Sequence, residues 1–271
     1  MPPGMRTAAW RPRVEGIQEV LHARLLGHSY PMHTHDSWTL LLVDDGVVRY
    51  DLDRGSHGAP SNLVTVLPPH IPHNGTPATA RGLRKRVLYL DTALLGEELI
   101  GRAADRPGID DPGLRRRVHR LHTALTLPHE DLEAESRLAL IVEHVRARLG
   151  RAPEARPGGG DVLAHRLRDL LHARVREGVT LGEAAALLHA HPTHLVRAFT
   201  REFGMPPHRY LVSARVDLAR RLLLDGRPPH EVATAAGFYD QPHLTRHFKR
   251  VLGVSPGRYT AGRRSTSRTG R

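Results

Sequence analysis

A chain of 271 residues, 39% hydrophobic and 25% charged, is long enough for two domains and is too apolar to be an extended disordered polymer. Its formal charge of +12, from 40 Lys+Arg against 28 Asp+Glu, points to a polyanionic partner, and the absence of cysteine excludes disulfides, thiolate-bound zinc and a thiol nucleophile. No apolar run approaches the ~18 residues of a membrane span and MPPGMRTAAWRPR at the N-terminus lacks an apolar h-region, so no membrane partner and no signal peptide are expected and the expected address is the cytoplasm.

In chain order, residues 15–90 read as short strands: WTLLLV, GVVRYDL and NLVTVL are separated by DDG, DRGSHG and PPHIPHNG. Short apolar runs with Gly, Asp and Pro turns at this spacing predict an all-β sandwich or barrel. Over residues 91–150 the period changes. The stretch LEAESRLALIVEHVRARLG sets Leu132, Leu138, Ile141, Val145 and Leu149 near one face of a helix. Such a stripe has to be buried, and a second copy of the chain is the expected cover, which makes residues 96–150 a helical dimerisation region and the protein a homodimer. RAPEARPGGGD, residues 151–161, is Pro- and Gly-rich and reads as an interdomain linker.

Beyond it the pattern is helical. Leu163, Leu167, Leu170 and Leu171 mark a first helix, and Thr180 with Glu183 forms a capping box for the next. The basic charge sits here: residues 161–271 hold 19 Lys+Arg against 9 Asp+Glu, residues 1–160 hold 21 against 19. The same half contains a repeat. HLVRAFTREFGMPPHRY at His194–Tyr210 and HLTRHFKRVLGVSPGRY at His243–Tyr259 share nine of 17 positions at an offset of 49, while the upstream EAA and EVA are offset by 48. One extra residue therefore lies in the second turn. In each copy a short helix, a turn and a basic helix follow one another, the arrangement of a helix-turn-helix. Leu195, Phe199 and Phe203, like Leu244, Phe248 and Leu252, fall at i, i+4 and i+8 and read as core. The opposite faces present Thr193, Val196, Arg197, Thr200 and Arg201 in the first copy, with His194 as a further candidate, and Gln241, His243, Thr245, Arg246, Lys249 and Arg250 in the second. Arginine can bond a guanine edge bidentately and Val or Thr methyls can touch thymine, so these are the candidate DNA-binding residues. The core positions stay similar between copies while exposed positions change, as expected of two readers of different base steps.

On these residues the chain resembles the AraC/XylS family of transcriptional regulators, whose DNA-binding domain of about 100 residues carries two helix-turn-helix units joined by a long helix. In EVATAAGFYDQPHLTRHFKRVLGVSPGRY, the residues Ala233, Gly237, Phe238, Phe248, Gly253, Pro256 and Tyr259 fall where the family pattern has them. The resemblance covers roughly residues 161–261. It implies base contacts from Thr193, Val196 and Arg197 in the first reading helix and from Pro242, His243 and Arg246 in the second, where proline departs from the polar residue often found. It also implies that the two helices enter successive major grooves about 34 Å apart, so that one copy reads some 15 to 20 base pairs.

The N-terminal half, roughly residues 15–95, more loosely resembles the cupin-like effector-binding domain of that family through His33 and His35, Gly46 and PPHIPH ending in His73. In metal-binding cupins these three histidines act with a glutamate that is missing here. The site is therefore read as a small-molecule pocket with His33, His35, Trp38 and His73 near its rim, and no cofactor is expected; His33, His35 and His73 are the candidate ligands should a metal bind.

The expected fold is α+β: a cupin-like β-barrel, a helical linker region, and a C-terminal all-α domain with helix-turn-helix units at about 180–204 and 229–253 and a basic tail. The expected function is sequence-specific binding of double-stranded DNA under control of a small-molecule effector, without enzymatic activity. Two other readings are a metal-dependent cupin enzyme with a helical docking domain, and an architectural DNA binder that reads little sequence.

Overall fold

The computed structural model describes residues 6–53, 55–79, 82–127, 130–150 and 161–260. The expected linker, but for Asp161, and the basic tail from residue 261 lie outside the described residues. The N-terminal half is built from two antiparallel sheets. One contains, in spatial order, β1 (Arg6–Trp10), β2 (Ile17–Leu25), β9 (Leu83–Leu90), β4 (Trp38–Asp45), β7 (Val64–Leu67) and β10 (Gly108–Ile109). The other contains β3 (Tyr30–His33), β8 (His73–Pro77), β5 (Val48–Leu52) and β6 (Gly55–Ala59). The two face each other without joining into one closed barrel, so the expected barrel is an open, cupin-like double sheet.

Strand β4 explains why WTLLLV is apolar throughout. Leu41 and Val43 point between the sheets, whereas Trp38, Leu40 and Leu42 point to the other side of the large sheet, where helices cover them. A strand buried on both faces has no polar alternation.

That outer cover begins with two short helices, α1 (Thr92–Leu95) and α2 (Ile100–Asp105), and is completed by α3 (Pro112–Ala124) and α4 (Asp131–Gly150). Leu138, Ile141, Val145 and Leu149 of α4 are buried with Leu114, Val118 and Leu121 of α3 and with Leu40, Leu42, Leu88 and Leu90 of the sheet. This corrects the expectation that the stripe awaits a second copy: the chain itself covers it. The side chain of Leu132 lies outside the described residues.

Asp111 ties the cover together. Its carboxylate caps α3 by accepting from the Leu114 amide at 2.9 Å, and it meets His144 Nε2 at 2.9 Å and Arg148 Nη2 at 2.5 Å on α4. The Leu114 amide, outweighing burial, and then Arg148 and His144 hold this carboxyl well below its ordinary 3.8. A depressed folded value gives stability that is complete above the ordinary value and fades as pH falls below it. We expect the urea midpoint of the protein to drop between about pH 5 and about pH 2, and to drop less in Asp111→Asn, which starts lower. Parallel pH profiles for the two proteins would remove Asp111 as the cause.

The C-terminal half is helical: α5 (Val162–Ala173), α6 (Leu181–Leu187), α7 (Pro192–Phe203), α8 (Pro207–Leu224), α9 (Pro229–Ala235) and α10 (Gln241–Leu252). The capping box before α6 is formed, with Glu183 N donating to Thr180 Oγ1 at 3.2 Å and Thr180 N donating to Glu183 Oε2 at 2.7 Å. Two helix pairs, α6–α7 and α9–α10, flank the long α8. The link before α7 spans 188–191 and that before α10 spans 236–240, so the one-residue offset of the repeat is taken up in the turn. Gly237 in the second turn has φ +81°, and a Cβ there would lie 2.3 Å from the Arg176 carbonyl oxygen, so only glycine fits.

The cores of the two units differ in their surroundings. Leu195, Phe199 and Phe203 pack with Leu167, Leu171 and Tyr210 in a cluster of their own. Leu244, Phe248 and Leu252 belong instead to one cluster that runs through Val216, Leu223 and Tyr259 into Leu21, Leu41, Tyr50 and Tyr89 between the sheets.

Candidate nucleic-acid interface and ligand pocket

The core periodicity of α7 and α10 fixes which faces they turn outward. On α7, His194, Arg197 and Arg201 are exposed and Val196 and Thr200 half-buried; the side chain of Thr193 lies outside the described residues. On α10, Gln241, Pro242, Arg246, Lys249 and Arg250 are exposed and His243 and Thr245 half-buried. Three of these residues have work within the fold. Arg201 Nη2 binds Asp161 Oδ2 at 2.7 Å, tying α7 to the N-cap of α5. His243 packs edge-on against Phe238 at 5.3 Å, and its Nδ1 accepts from the Tyr239 amide at 3.4 Å. Arg250 lines a groove shared with Pro31, Met32 and His208, toward the β-half. Arg197 and Arg246 are the equivalent arginines of the two copies, and both project freely on the outward faces.

Between the sheets lies a narrow cavity with an apolar wall of Leu21, Leu41, Val48 and Val87 and a polar end holding His33, His35 and His73. Trp38 does not join them: fully buried, it points to the helix-covered side of its sheet, and its neighbours Thr39 and Leu41 line the cavity instead. The three imidazoles stand 4.5 to 5.0 Å apart between ring centroids. Burial, reinforced by the neighbouring histidines, pushes the His33 and His35 values well below the usual 6.5, and burial brings His73 to about 4. All three are neutral at pH 7. Lys85 shares the cavity with its ammonium 3.9 Å above the Tyr30 ring, and burial lowers it to about 8. The last lining residue, Leu252, comes from the end of α10.

Residues 15–142 match the family model of the AraC-like ligand binding domain, and residues 184–262 match that of a helix-turn-helix domain. A putative AraC-like transcription regulator of Streptomyces antibioticus is 31% identical over 134 residues, covering 47% of this chain and 44% of that protein. The probable transcriptional regulator LumQ of Photobacterium leiognathi is 27% identical over 90 residues, 33% of this chain and 36% of that protein. The chain belongs to the AraC family. It spans less than half the length of these curated relatives. Among solved structures, ToxT from Vibrio cholerae shares the fold over 96% of this chain and 98% of its own, with a TM-score of 0.56 at 12% identity. The helical half of this AraC-family chain is thus the family's helix-turn-helix domain and not a docking appendage. No helix among the described residues is long and apolar enough to cross a membrane.

In this member of the AraC family the two halves meet through a buried charge cluster that sequence reasoning missed. Arg220 of α8, 1% exposed, lies with Nε 2.8 Å from Glu19 Oε2 of β2 and Nη2 2.8 Å from Asp217 Oδ1, and its guanidinium rests 3.8 Å above the Tyr89 ring. The Tyr259 hydroxyl donates to Glu19 Oε1. These are close ionic contacts without full hydrogen-bond alignment, and Arg220 Nη1 has no hydrogen-bond partner among the described residues. Burial pushes the Glu19 carboxyl up to about 7 despite Arg220 and Tyr259. Around the cluster, Thr34 and Ser213 bond reciprocally at 2.9 and 3.3 Å, and Arg221 binds Asp36. His35 Nδ1 faces Asp217 Oδ1 at 3.6 Å. The only hint in the sequence was DLARR, Asp217–Arg221, an acid with two arginines one turn on.

Proposed function

We propose that this chain is a transcriptional regulator that binds a specific duplex through α7 and α10, and that a small molecule held between the sheets governs that binding. The observation that carries the reading is Leu252: the end of the second reading helix forms part of the cavity wall, so whatever fills the cavity touches a DNA-binding element. The apolar wall suits a ligand with an apolar body. ToxT, which shares the fold, has been solved with an unsaturated fatty acid bound.

Arg197 and Arg246 are assigned to base edges, with Val196, Thr245 and His243 beside them and Lys249 and Arg250 toward phosphate. Arg197→Ala and Arg246→Ala should each weaken binding to a selected operator by about 1 to 3 kcal/mol and relax preference at one base step. The check is a titration of each variant against operator and random duplex, and an unchanged preference in both variants would refute the assignment. The same titration with and without cell extract tests control by a small molecule. A homodimer paired through α4 would use the outer face of that helix, where Leu140 is exposed, because the inner face is already covered; sedimentation of the Leu140→Glu variant reads this out.

A further inference from the structure

The turns of the two helix-turn-helix units correspond bond for bond, with one residue left over. His189 and Gly237 form the same left-handed corner, with φ +51° and +81°. One position on, the Ala190 amide donates to the Ala185 carbonyl at 3.0 Å and the Phe238 amide to the Ala233 carbonyl at 2.8 Å. At the helix starts, the Leu195 amide donates to the His191 carbonyl and the Leu244 amide to the Asp240 carbonyl, both at 3.1 Å. Ala190 therefore matches Phe238, His191 matches Asp240, and Tyr239 is the residue with no counterpart in the first unit. This inserted tyrosine is 91% exposed, the most exposed large apolar side chain among the described residues. Its backbone is nonetheless anchored. Phe238 before it is buried and packs on His243 and His247 at 5.3 and 6.1 Å, Asp240 after it caps α10 by accepting from the His243 amide at 2.7 Å, and its own amide donates to His243 Nδ1.

A singly exposed aromatic is ordinary; its place in the unit is not. The first helix of a helix-turn-helix crosses the phosphate backbone and the start of the second reaches base edges, so the turn between them passes the rim of the major groove. A helix start usually offers free amides to a phosphate there. At α10 the Asp240 carboxylate takes the His243 amide and Pro242 has no N–H, so the helix start is poor in donors and carries a negative group. The Tyr239 hydroxyl is a neutral donor on a side chain with few torsions to fix, and it stands where that donor is missing. We propose that Tyr239 is a backbone contact of the second unit, its hydroxyl donating to a phosphate at the rim of the groove that α10 enters and its ring resting on the adjoining deoxyribose. This rests on the reading of α7 and α10 as DNA-binding helices. The first unit lacks the residue, so the two units grip the duplex unequally.

The test titrates the full chain and its Tyr239→Ala, Tyr239→Phe and Lys249→Ala variants against a selected operator and a random duplex over a range of salt. Because the ring is exposed, both tyrosine variants should keep the parent's urea midpoint, so a loss of binding is not a loss of folding. Tyr239→Ala should weaken binding to both duplexes by about 5- to 30-fold, since a phosphate contact carries no sequence information, and Tyr239→Phe should show much of that loss. Tyrosine is neutral, so the slope of log affinity against log salt should match the parent's, whereas Lys249→Ala should reduce it by about one. Hydroxyl-radical footprints of Tyr239→Ala should lose protection at a sugar beside the second unit and keep it beside the first. Parent-like affinity in Tyr239→Ala overturns the contact, parent-like affinity in Tyr239→Phe overturns the phosphate bond, and a loss confined to the operator would make the tyrosine a base reader instead. If Arg246→Ala weakens operator binding and Tyr239→Ala does not, this contact alone falls. Failure to find any specific operator counts against the regulatory reading, while the random duplex still reports on the tyrosine.

Discussion

Arg220→Ala is expected to cost the folded protein about 3 to 5 kcal/mol, because it leaves Glu19 and Asp217 buried without their shared cation. The double variant Glu19→Gln, Arg220→Met should lose less than Arg220→Ala alone, since it removes one of the two stranded charges along with their shared partner and leaves Asp217 with Arg221. Denaturant unfolding of the three proteins measures this; equal losses in the single and double variants would show that Arg220 acts by packing on Tyr89 and not by charge. The pH dependence adds a second reading. Glu19 already sits above its ordinary 4.5, and without Arg220 it rises further. A carboxyl whose folded value exceeds its unfolded one leaves stability intact at low pH and removes it as pH climbs. The deficit of Arg220→Ala should therefore widen from about pH 5 to about pH 8.

Phe199→Ala and Phe248→Ala, each at a side chain with no exposure, should both cost about 3 to 5 kcal/mol, yet with different reach. Phe199 packs within the first unit against Phe203 and Tyr210, so its loss should open α5–α7 and spare the sheets. Phe248 lies against Tyr259, whose hydroxyl holds Glu19, and its cluster continues between the sheets. Its loss should therefore raise amide exchange in β2 and β9 as well as in α9 and α10. If exchange in Phe248→Ala stays confined to residues 229–260, the shared core is not a cooperative unit.

Both reading helices were legible because a repeat carries its own control. Positions that recur as Leu, Phe and Gly separate from positions that vary, and the observed burial follows that division. The pocket histidines were legible from spacing. Trp38 was not, because WTLLLV is apolar on both sides of its strand and so has no phase; nothing in the residues says which alternate set looks into the cavity. The stripe of α4 was read correctly as buried, but periodicity names a buried face and not its cover, and here α3 and the sheet supply it. Glu19 was invisible for another reason. It alternates in phase with Leu21, Ala23 and Leu25 on the inner face of β2, but an inward acid does not name its partner, which lies some two hundred positions away on a helix that reads as ordinary. Closure of the sheets into a barrel is likewise a matter of edges, which strand-forming runs do not encode.

The unequal surroundings of the two helix-turn-helix units limit how this protein can be recombined. The first unit keeps its own core and would travel as a module. The second shares its core with α8 and with the segment after α10, whose Arg220 and Tyr259 need Glu19 from a strand of the other half. A chimera that joins this C-terminal half to another relative's ligand domain would inherit a buried guanidinium with no acid to meet it. Exchange of specificities between such regulators would then succeed only where the acid on β2 and the arginine on α8 are moved together.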